Sequence, residues 1–365
     1  MSSTRLETNQ KNDSSESLNS TALVSHFRPK DEYQHLKDFD EGEEGQCSIV
    51  KSRTTGRMYV VKHTLPVETA SPDKNQKTGR RRPLPNEAKM LQRLQGGPNI
   101  VRFLGVEPSP LLEGRHFIFT ELCTGGDLLE QLQEFRKLKM PTPEILTLHV
   151  LVSVAQALAY IHHGLRRIDG KGFITDSKHV SIVHGDIKPD NIFLRWPATE
   201  CGLPDIILAD FGLASIASES HGITGTPGYD PPEVRIIAAL RHVNPVAYKQ
   251  KNNGRIMTAK SDVYQLGVVL YLMAKRAFWN DIDYTMARDP ATIDLPPRYL
   301  AITGFLAMLC WCLQPIPADR PECTYNPIDG MLDAVDMFRR KRDAMCASNG
   351  PLDEEIWRVC KVTGA

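Results

Sequence analysis

The sequence predicts an α+β protein with two lobes, a small, mainly β lobe with one main helix and a larger helical lobe. The chain has 365 residues, which is near the upper limit for one domain and the lower limit for two. Short apolar stretches separated by turn residues occupy 38–121, whereas apolar residues recur at helical spacing from 145 onward. We therefore place the small lobe at about 31–123 and the large lobe at about 124–340.

The small lobe follows a polar segment. Residues 1–30 are rich in Ser, Asn, Thr and charged residues, so we expect a disordered N-terminal tail. The stretches CSIV (47–50) and MYVVKH (58–63) flank Thr55 and Gly56, a pattern typical of a hairpin. Apolar residues at helical spacing over 86–94 predict a helix that stops at Gly96 and Gly97. NIVRFLGV (99–106) and HFIFTELC (116–123) then complete a mainly antiparallel sheet.

The large lobe opens with a helix. Thr142 is a suitable N-cap, Pro143 suits the first helical position, and apolar residues follow at helical spacing. These apolar residues are Ile145, Leu148, Val152, Ala155 and Leu158. The segments 69–85, 164–179 and 234–260 are polar and contain Gly or Pro, so we expect inserted loops there. Residues 341–365 are expected to form a C-terminal extension.

The composition argues against several classes of protein. The charges balance, with 44 Lys and Arg against 44 Asp and Glu, so no global field attracts nucleic acid or an anionic membrane. The 8 cysteines include no CxxC pair, which disfavours a zinc ribbon or a disulfide scaffold. The start carries no apolar secretion signal, and the apolar run 266–274 is too short to span a bilayer. We expect an intracellular protein, cytoplasmic, nuclear or both, without nucleic-acid or membrane partners.

The stretch HGDIKPDNIF (184–193) places an acid, a cation and an amide close together. Phosphoryl transfer from ATP needs the triphosphate held in line, its charge neutralised and a carboxylate that faces the acceptor hydroxyl. Asp186 would orient that hydroxyl and accept its proton, and Lys188 would neutralise charge on the transferred phosphate. Asn191 would offer an amide oxygen to Mg²⁺. The stretch therefore predicts the catalytic loop of a phosphoryl transferase.

A second motif, IILADFGLA (206–214), places Asp210 between an apolar run and the pair Phe211 and Gly212, which suits a carboxylate ligand of a hard metal. HGDIKPDN and DFG resemble the catalytic-loop and metal-binding motifs of eukaryotic protein kinases. The Lys188–Pro189 form of the loop resembles the serine/threonine members. The resemblance covers about 38–340. It implies a two-lobed protein kinase fold that binds ATP and Mg²⁺ between the lobes and phosphorylates protein substrates on Ser or Thr.

Further motifs follow in the family's order. MYVVKH aligns Lys62 with the lysine that binds the α- and β-phosphates, and Glu87 aligns with the helix glutamate that pairs with it. The segment from Glu121 to Cys123 aligns with the hinge whose backbone hydrogen-bonds adenine, and Thr120 lies just before it. The residues that the resemblance assigns to the adenine pocket are Val50, Val60 and Phe193. It assigns Phe211, Gly212, Thr226 and Glu233 to the activation segment. It also implies that Asp262 braces the catalytic loop and that Arg320 pairs with Glu233.

The nucleotide-covering loop departs from the family pattern. EEGQCSIV (43–50) matches G-x-G-x-x-G-x-V only at Gly45 and Val50, and Glu43 and Ser48 take the outer glycine positions. Because glycines let backbone amides approach phosphate, the alternative is a pseudokinase that scaffolds partners. The intact charged residues favour catalysis, and the small Ser48 could donate its hydroxyl. A kinase of small molecules or lipids is disfavoured by GTPGYDPPE (225–233), which resembles a peptide-binding platform. Docking partners are possible at 69–85 and 234–260.

Gly185 is the second departure, because most relatives have an arginine before the catalytic aspartate. That arginine pairs with a phosphorylated residue of the activation segment. Without it, we expect activity that does not depend on phosphorylation of that segment. The hydroxyl residues concerned are Ser215, Ser218, Ser220 and Thr224. His184 is interpreted as a core residue that supports Phe211, without a role in proton transfer.

Overall fold

The computed structural model describes residues 33–39, 45–66, 84–109, 113–168, 172–196, 202–219, 222, 224–252, 256–275 and 293–349. Several sequence predictions lie outside these ranges. They are the N-terminal tail, the basic run at 77–82 with the rest of 67–83, Glu43 in the nucleotide-covering loop, Ser220, and the extension beyond 349.

The small lobe is a five-stranded antiparallel sheet with one helix, as predicted. Its strands are β1 (Tyr33–Asp38), β2 (Gly45–Ser52), β3 (Met58–Thr64), β4 (Phe103–Pro108) and β5 (His116–Glu121), in the spatial order β1-β2-β3-β5-β4. Helix α1 (Asn86–Arg93) connects the third and fourth strands and buries Ala88, Met90 and Leu91. This spacing of apolar residues is the one that predicted the helix.

The large lobe is built on helices, with short strands only at its loops. The helices are α2 (Leu128–Lys137), α3 (Glu144–His163), α4 (Pro232–Val243), α5 (Pro245–Asn252), α6 (Ala259–Lys275), α7 (Pro297–Leu300), α8 (Phe305–Cys312) and α9 (Leu332–Asn349). The short strands are β6 (Leu165–Ile168), β7 (Gly172–Thr175), β8 (Ile182–Val183), β9 (Ile192–Arg195), β10 (Asp205–Leu208) and β11 (Ser215–Ile216). The predicted two-lobed α+β architecture is confirmed.

Helix α3 forms the centre of the large lobe. Among the described residues it is the one helix whose length and hydropathy would suit a membrane span, but 94% of that apolar stretch is buried inside the protein. It packs on α6 and α9. Its His162 Nε2 lies 2.8 Å from the carboxylate of Asp262 in α6. The helix therefore fixes the position of the residues that support the catalytic loop.

Two segments that were predicted to be inserted loops contain regular structure. In 164–179, β6 and β7 form an antiparallel hairpin. In 234–260, α4 and α5 meet at Asn244, which ends the first helix and accepts a hydrogen bond from Ala247 N through its side chain. The prolines had suggested a loop. Pro232 and Pro245 instead occupy the first position of each helix, where a missing N–H costs nothing.

The predicted boundary at residue 340 falls inside α9. This helix continues to Asn349, and Cys346 near its end is buried in the main core. The packed large lobe therefore extends beyond the predicted limit. The basic stretch RRKR (339–342) concealed this continuity, because charged residues in the middle of a helix resemble the polar start of a tail.

A buried histidine makes stability depend on pH. His149 donates from Nε2 to Pro204 O at 2.8 Å and accepts at Nδ1 from Arg342 at 3.0 Å. Burial, with the charge of Arg342, lowers the pKa of His149 to about 4. The unfolded chain therefore binds the proton more readily, and stability is lost as pH falls from 6.5 towards 4. Between pH 7 and pH 5 this group should cost about 2 kcal/mol of the free energy of unfolding.

Urea unfolding at the two pH values checks this prediction. We expect His149→Gln to reduce the difference in unfolding free energy, because an amide can replace both hydrogen bonds without titrating. The exposed His242→Gln is the control. An equal change in both variants would contradict the role of burial at His149.

Candidate active site

Lys62 lies between two carboxylates from different parts of the chain. Its Nζ is 2.9 Å from Oε2 of Glu87 in α1 and 2.9 Å from Oδ1 of Asp210. The side chains of Lys62 and Glu87 are nearly buried, whereas that of Asp210 is 38% exposed. Asp210 has φ +60, a left-handed conformation that Asp tolerates better than most residues. The three predicted residues are thus brought together on one side of the sheet.

The register of β2 and β3 decides which side chains share the face of Lys62. Cys47 pairs with Lys62, and Ile49 pairs with Val60. Directly paired residues of antiparallel strands project to the same face. Val50 projects to the opposite face and is fully buried. Its cluster contains Val61, Phe117 and Phe119. The prediction that Val50 contacts adenine is therefore wrong, whereas Val60 lies on the expected face.

This register also realigns the glycine motif. Gly45 has φ +128, and a Cβ there would clash with the carbonyl oxygen of His63, so pairing of β2 with β3 itself requires glycine. If Gly45 is the last glycine, the motif becomes DEGEEGQC (40–47), and Cys47 takes the place of the valine. That alignment retains Gly42 as well. Two retained glycines weaken the argument for a pseudokinase.

Ser48 does not replace a missing glycine. Its side chain is buried, and its hydroxyl donates to Asp38 Oδ1 at 2.6 Å. The same oxygen lies 2.8 Å from His35 Nε2. The hydroxyl therefore joins β2 to β1, and the prediction that it could donate to phosphate is not supported.

The two hinge residues have side chains that are engaged with the protein. The carboxylate of Glu121 accepts hydrogen bonds from Arg195 at 2.9 Å and from the backbone N–H of Arg102 at 2.9 Å. Burial raises the pKa of the Cys123 thiol to about 12, so the thiol stays neutral. Any contact of these residues with adenine would therefore use the backbone. Phe193 is half-buried, and its backbone forms an isolated antiparallel β-bridge with that of Asp127, just before α2.

The catalytic loop and the activation segment meet at Asp186. Thr226 Oγ1 donates to Oδ1 of Asp186 at 2.8 Å and accepts from Lys188 Nζ at 2.7 Å. Lys188 Nζ also lies 2.9 Å from Oδ2 of Asp186. Asn191 Nδ2 donates to the backbone oxygen of Asp186 at 2.8 Å and to its Oδ2 at 3.1 Å. The four residues form one connected network around a single carboxylate.

The backbone of the catalytic loop is held by α6. The carboxylate of Asp262 accepts from the N–H groups of His184 and Gly185, both at 2.8 Å. Gln265 accepts from Ile187 N at 2.9 Å and donates to Gly185 O at 3.2 Å. Gly185 has φ +81, a conformation that costs glycine little. Asp262 therefore supports the loop, in the position that the sequence predicted.

His184 supports Phe211 from the core. The two rings are 4.7 Å apart in an edge-on arrangement, and both side chains are fully buried. His184 Nε2 donates to Ala209 O at 3.0 Å, and Nδ1 accepts from Asp186 N at 3.2 Å. Because a carbonyl can only accept and an N–H can only donate, the imidazole is neutral with its proton on Nε2. Both nitrogens are engaged with backbone, as a supporting role requires.

Asp210 and Asn191 offer oxygen ligands that suit Mg²⁺. Ala209 N donates to Asn191 O at 2.9 Å, which places the residue before Asp210 against the catalytic loop. The amide nitrogen of Asn191 donates to Asp186, and its amide oxygen is the atom that could serve as a metal ligand. Within the described residues, no group of three His, Cys, Asp or Glu side chains forms a metal site. The pair fits Mg²⁺, which usually takes one or two protein ligands together with phosphate and water.

Glu233 and Arg320 anchor the end of the activation segment. Arg320 is fully buried and donates to both carboxylate oxygens of Glu233, at 2.8 and 2.7 Å. Its remaining donors reach the backbone oxygens of Gln314, Pro315 and Lys260. All five N–H groups of the guanidinium are thus paired. The predicted ion pair is present and fixes the position where α4 begins.

Sequence reasoning did not identify three polar residues that position the site. Asn86 Nδ2 donates to the carbonyls of Gly212 and Ala214, which joins α1 to the DFG segment. Arg195 bridges Glu121 and Asp205. Gln265 holds the catalytic loop, as described above. A signal existed only for Gln265, which lies one helical turn after Asp262 and therefore on the same face of α6.

Comparison with known proteins agrees with this geometry. The protein kinase domain model matches residues 33–326. A probable serine/threonine-protein kinase nek2 of Dictyostelium discoideum is 30% identical over 67% of the chain, which spans 48% of that protein. Serine/threonine-protein kinase Nek4 of Mus musculus is 31% identical over 80% of the chain, which spans 32% of that protein. The chain thus spans about half or less of the length of these relatives. Because the domain model covers most of it, the chain belongs to the protein kinase family.

Proposed function

We propose that the chain is an active protein kinase that transfers the γ-phosphoryl group of ATP to Ser or Thr of protein substrates. One observation carries the proposal. The Thr226 hydroxyl lies between Asp186 and Lys188, at 2.8 and 2.7 Å. A substrate hydroxyl in the same place would meet a base and a cation at the distances that proton transfer requires.

The chain's own residues divide the work of the reaction. Lys62, held by Glu87, would bind the α- and β-phosphates, and the backbone of the hinge would bind adenine. Asp186 would orient the acceptor hydroxyl and take its proton, while Lys188 would stabilise charge on the transferred group. Mg²⁺ held by Asn191 and Asp210 would neutralise the phosphates. Each role needs only positioned charge, which the ion pairs and hydrogen bonds of the site support.

The rival proposal is a pseudokinase that acts as a scaffold. A complete set of charged groups argues against it, as does the Lys62–Glu87 ion pair. The contact between Thr226 and Asp186 does not favour a kinase of small molecules or lipids. It places the segment GTPGYDPPE, which resembles a peptide-binding platform, against the catalytic carboxylate.

Phosphate transfer from Mg²⁺-ATP to a generic Ser/Thr protein substrate tests the proposal. We expect Lys62→Met to reduce turnover by about 100-fold or more, because a cation at the phosphates is lost. Lys51→Met, at an exposed lysine of β2, is the matched control. Equal and negligible transfer by wild type and Lys62→Met, with both folded, would favour the scaffold.

We also propose that activity does not depend on phosphorylation of the activation segment. Gly185 offers no cation, and a Cβ there would meet the Thr224 hydroxyl at 3.0 Å. Ser215 is buried in β11, where a phosphate would lack water and a partner. Exposed Ser218 and half-buried Thr224 are the described positions at which a phosphate could still be added.

Phosphatase treatment and the variant Ser218→Ala/Ser220→Ala/Thr224→Ala test this independence. Both should leave turnover within about threefold of the untreated wild type, since glycine stands at 185, where relatives have the arginine that binds the phosphate. Loss of activity to the background level in either sample would contradict the proposal. Unfolding curves of the variant exclude loss of structure as a cause.

Location and partners remain predictions. The kinase relatives support protein substrates, and we propose an intracellular location, cytoplasmic, nuclear or both, without nucleic-acid or membrane partners. Docking at 69–85 falls mainly outside the described residues. Docking of a partner at 234–260 would involve α4 and α5, which are described.

A further inference from the structure

Helices α4 and α5 present apolar side chains to solvent. Ile236 is 63% exposed, Val243 83% and Val246 67%. Ile236, Ala239 and Val243 follow the spacing i, i+3, i+7, so they share one face of α4. The opposite face is the packed one, with Val234 and Ile237 in a cluster with Val183, Ile256 and Met257. A helix that is apolar on both faces has one face left for a partner.

Beyond the first turn of α4, which holds Glu233, the same helices carry positive charge and no negative charge. The segment 234–252 contains Arg235, Arg241, Lys249 and Lys251, and neither Asp nor Glu. Arg235 donates to Tyr264 OH at 3.3 Å. Arg241, Lys249 and Lys251 are exposed, and within the described ranges none of them forms an ion pair with a carboxylate. In a chain whose overall charge is balanced, these two helices thus combine exposed cations with exposed apolar groups.

We propose that this patch, Ile236, Arg241, Val243, Val246, Lys249 and Lys251, docks an acidic, amphipathic segment of the protein substrate. Carboxylates of the segment would pair with the cations, and its apolar residues would cover the valines and the isoleucine. Nucleic acid would satisfy the cations but would leave the apolar side chains against a polar backbone. The inference rests on the proposed kinase activity and names a feature of its substrates.

The patch is close enough to the catalytic carboxylate for one substrate to reach both. Thr226 contacts Asp186, and α4 begins six residues after Thr226, at Pro232. At 1.5 Å per residue, α4 places Val243 about 18 Å from the start of the helix. An extended chain covers that distance with about six residues. The six residues from Thr226 to Pro232 span at most about 20 Å more, so a docking segment separated from the acceptor by about twelve residues would span the two places.

Peptide substrates with designed tails test the docking. Each has a serine acceptor and a flexible Gly-Ser spacer of about twelve residues. The spacer leads to a tail of Leu mixed with either Glu or Lys, and the tail is placed N-terminal to the acceptor in one set and C-terminal to it in another. For the wild-type protein we expect the Glu tail to lower KM by about tenfold with kcat unchanged, because docking raises the effective concentration of the acceptor. The Lys tail should give no gain, and salt should reduce the gain of the Glu tail.

Matched variants assign the gain to the patch. Arg241→Glu/Lys249→Glu/Lys251→Glu should lose the gain and keep kcat on the untailed peptide, and Val243→Ser/Val246→Ser should lose most of it. Lys51→Glu/Lys137→Glu/Lys178→Glu, at exposed lysines elsewhere, should keep it. A gain that survives the first triple variant, or one that is equal for both tails, would overturn the proposal.

Binding measurements without ATP separate docking from catalysis. Fluorescence anisotropy of the labelled Glu tail alone should show binding that the patch variants lose. If the tail binds but no peptide is phosphorylated, docking stands and the kinase activity fails. If the patch variants instead lose binding of a single-stranded oligonucleotide, or change the sedimentation coefficient of the chain, the partner is nucleic acid or a second copy and the proposal fails.

Discussion

Asp186→Asn is expected to reduce phosphate transfer by about 10²- to 10⁴-fold, the range that loss of a general base costs. The amide keeps the shape of the carboxylate but cannot accept the proton of the substrate hydroxyl. It also removes the charge that holds Lys188 at 2.9 Å. Because the hydrogen bonds with Asn191 and Thr226 can be kept by an amide that rotates, we expect the variant to remain folded. Initial rates with Mg²⁺-ATP and thermal unfolding measure the two effects.

The matched control is Asp190→Asn, a second carboxylate of the same loop. Asp190 is half-buried, and among the described residues its side chain has no hydrogen bond to Thr226 or Asn191. It should retain most of the activity. Comparable losses in both variants would show that the charge of the loop matters, and not the position of Asp186. Undiminished transfer by Asp186→Asn would mean that another group accepts the proton.

Arg320→Leu is expected to lower the free energy of unfolding by about 3–5 kcal/mol, the usual cost of removing one partner from a buried ion pair. The substitution leaves the carboxylate of Glu233 with Ser261 as its remaining described hydrogen-bond donor. It also leaves the backbone carbonyls of Gln314, Lys260 and Pro315, which are half-buried residues, without the guanidinium that satisfies them. Urea unfolding at neutral pH measures the loss, and activity should fall in parallel because α4 and the activation segment lose their anchor.

An exposed ion pair provides the control for Arg320. Asp294→Asn removes a contact of 2.9 Å with Lys275, but the side chain of Asp294 is 83% exposed. The expected change is about 0–1 kcal/mol, because solvent screens the pair. If both substitutions cost the same, burial of the Arg320 pair does not explain its contribution to stability.

Local spacing determined much of the catalytic site in advance. Asp186, Lys188 and Asn191 lie within one loop, so their proximity follows from covalent connection. Asp262 and Arg320 were placed by resemblance, and the structure gives them partners that fit. The adenine pocket was harder to predict, since a shift of β2 relative to β3 exchanges the two faces of a strand. The local sequence around Val50 cannot reveal that shift, because CSIV places apolar residues on both faces.

Helices α4 and α5 show a second limit of predicting structure from local sequence. Their prolines and charged residues suggested a loop, yet Pro232 and Pro245 start helices. Tertiary packing favours helix over loop here, because Val234 and Ile237 pack against a cluster of residues from distant segments. Arg195 was missed for the same reason, because Glu121 lies 74 residues away from it in the chain.

By itself, the sequence determined the family, the two-lobed α+β architecture and the identity of the charged groups, because these depend on motifs and on periodicity within short windows. Only the tertiary structure decided that Lys62 contacts both Glu87 and Asp210. It also decided that Cys47, and not Val50, lies on the same face of the sheet as Lys62. Likewise, only the structure shows that Gly185 adopts φ +81 and is held by Asp262 and Gln265. The physical reason is that strand register, ion pairs and backbone conformation are set by partners that are distant in the chain, and no local pattern encodes those partners.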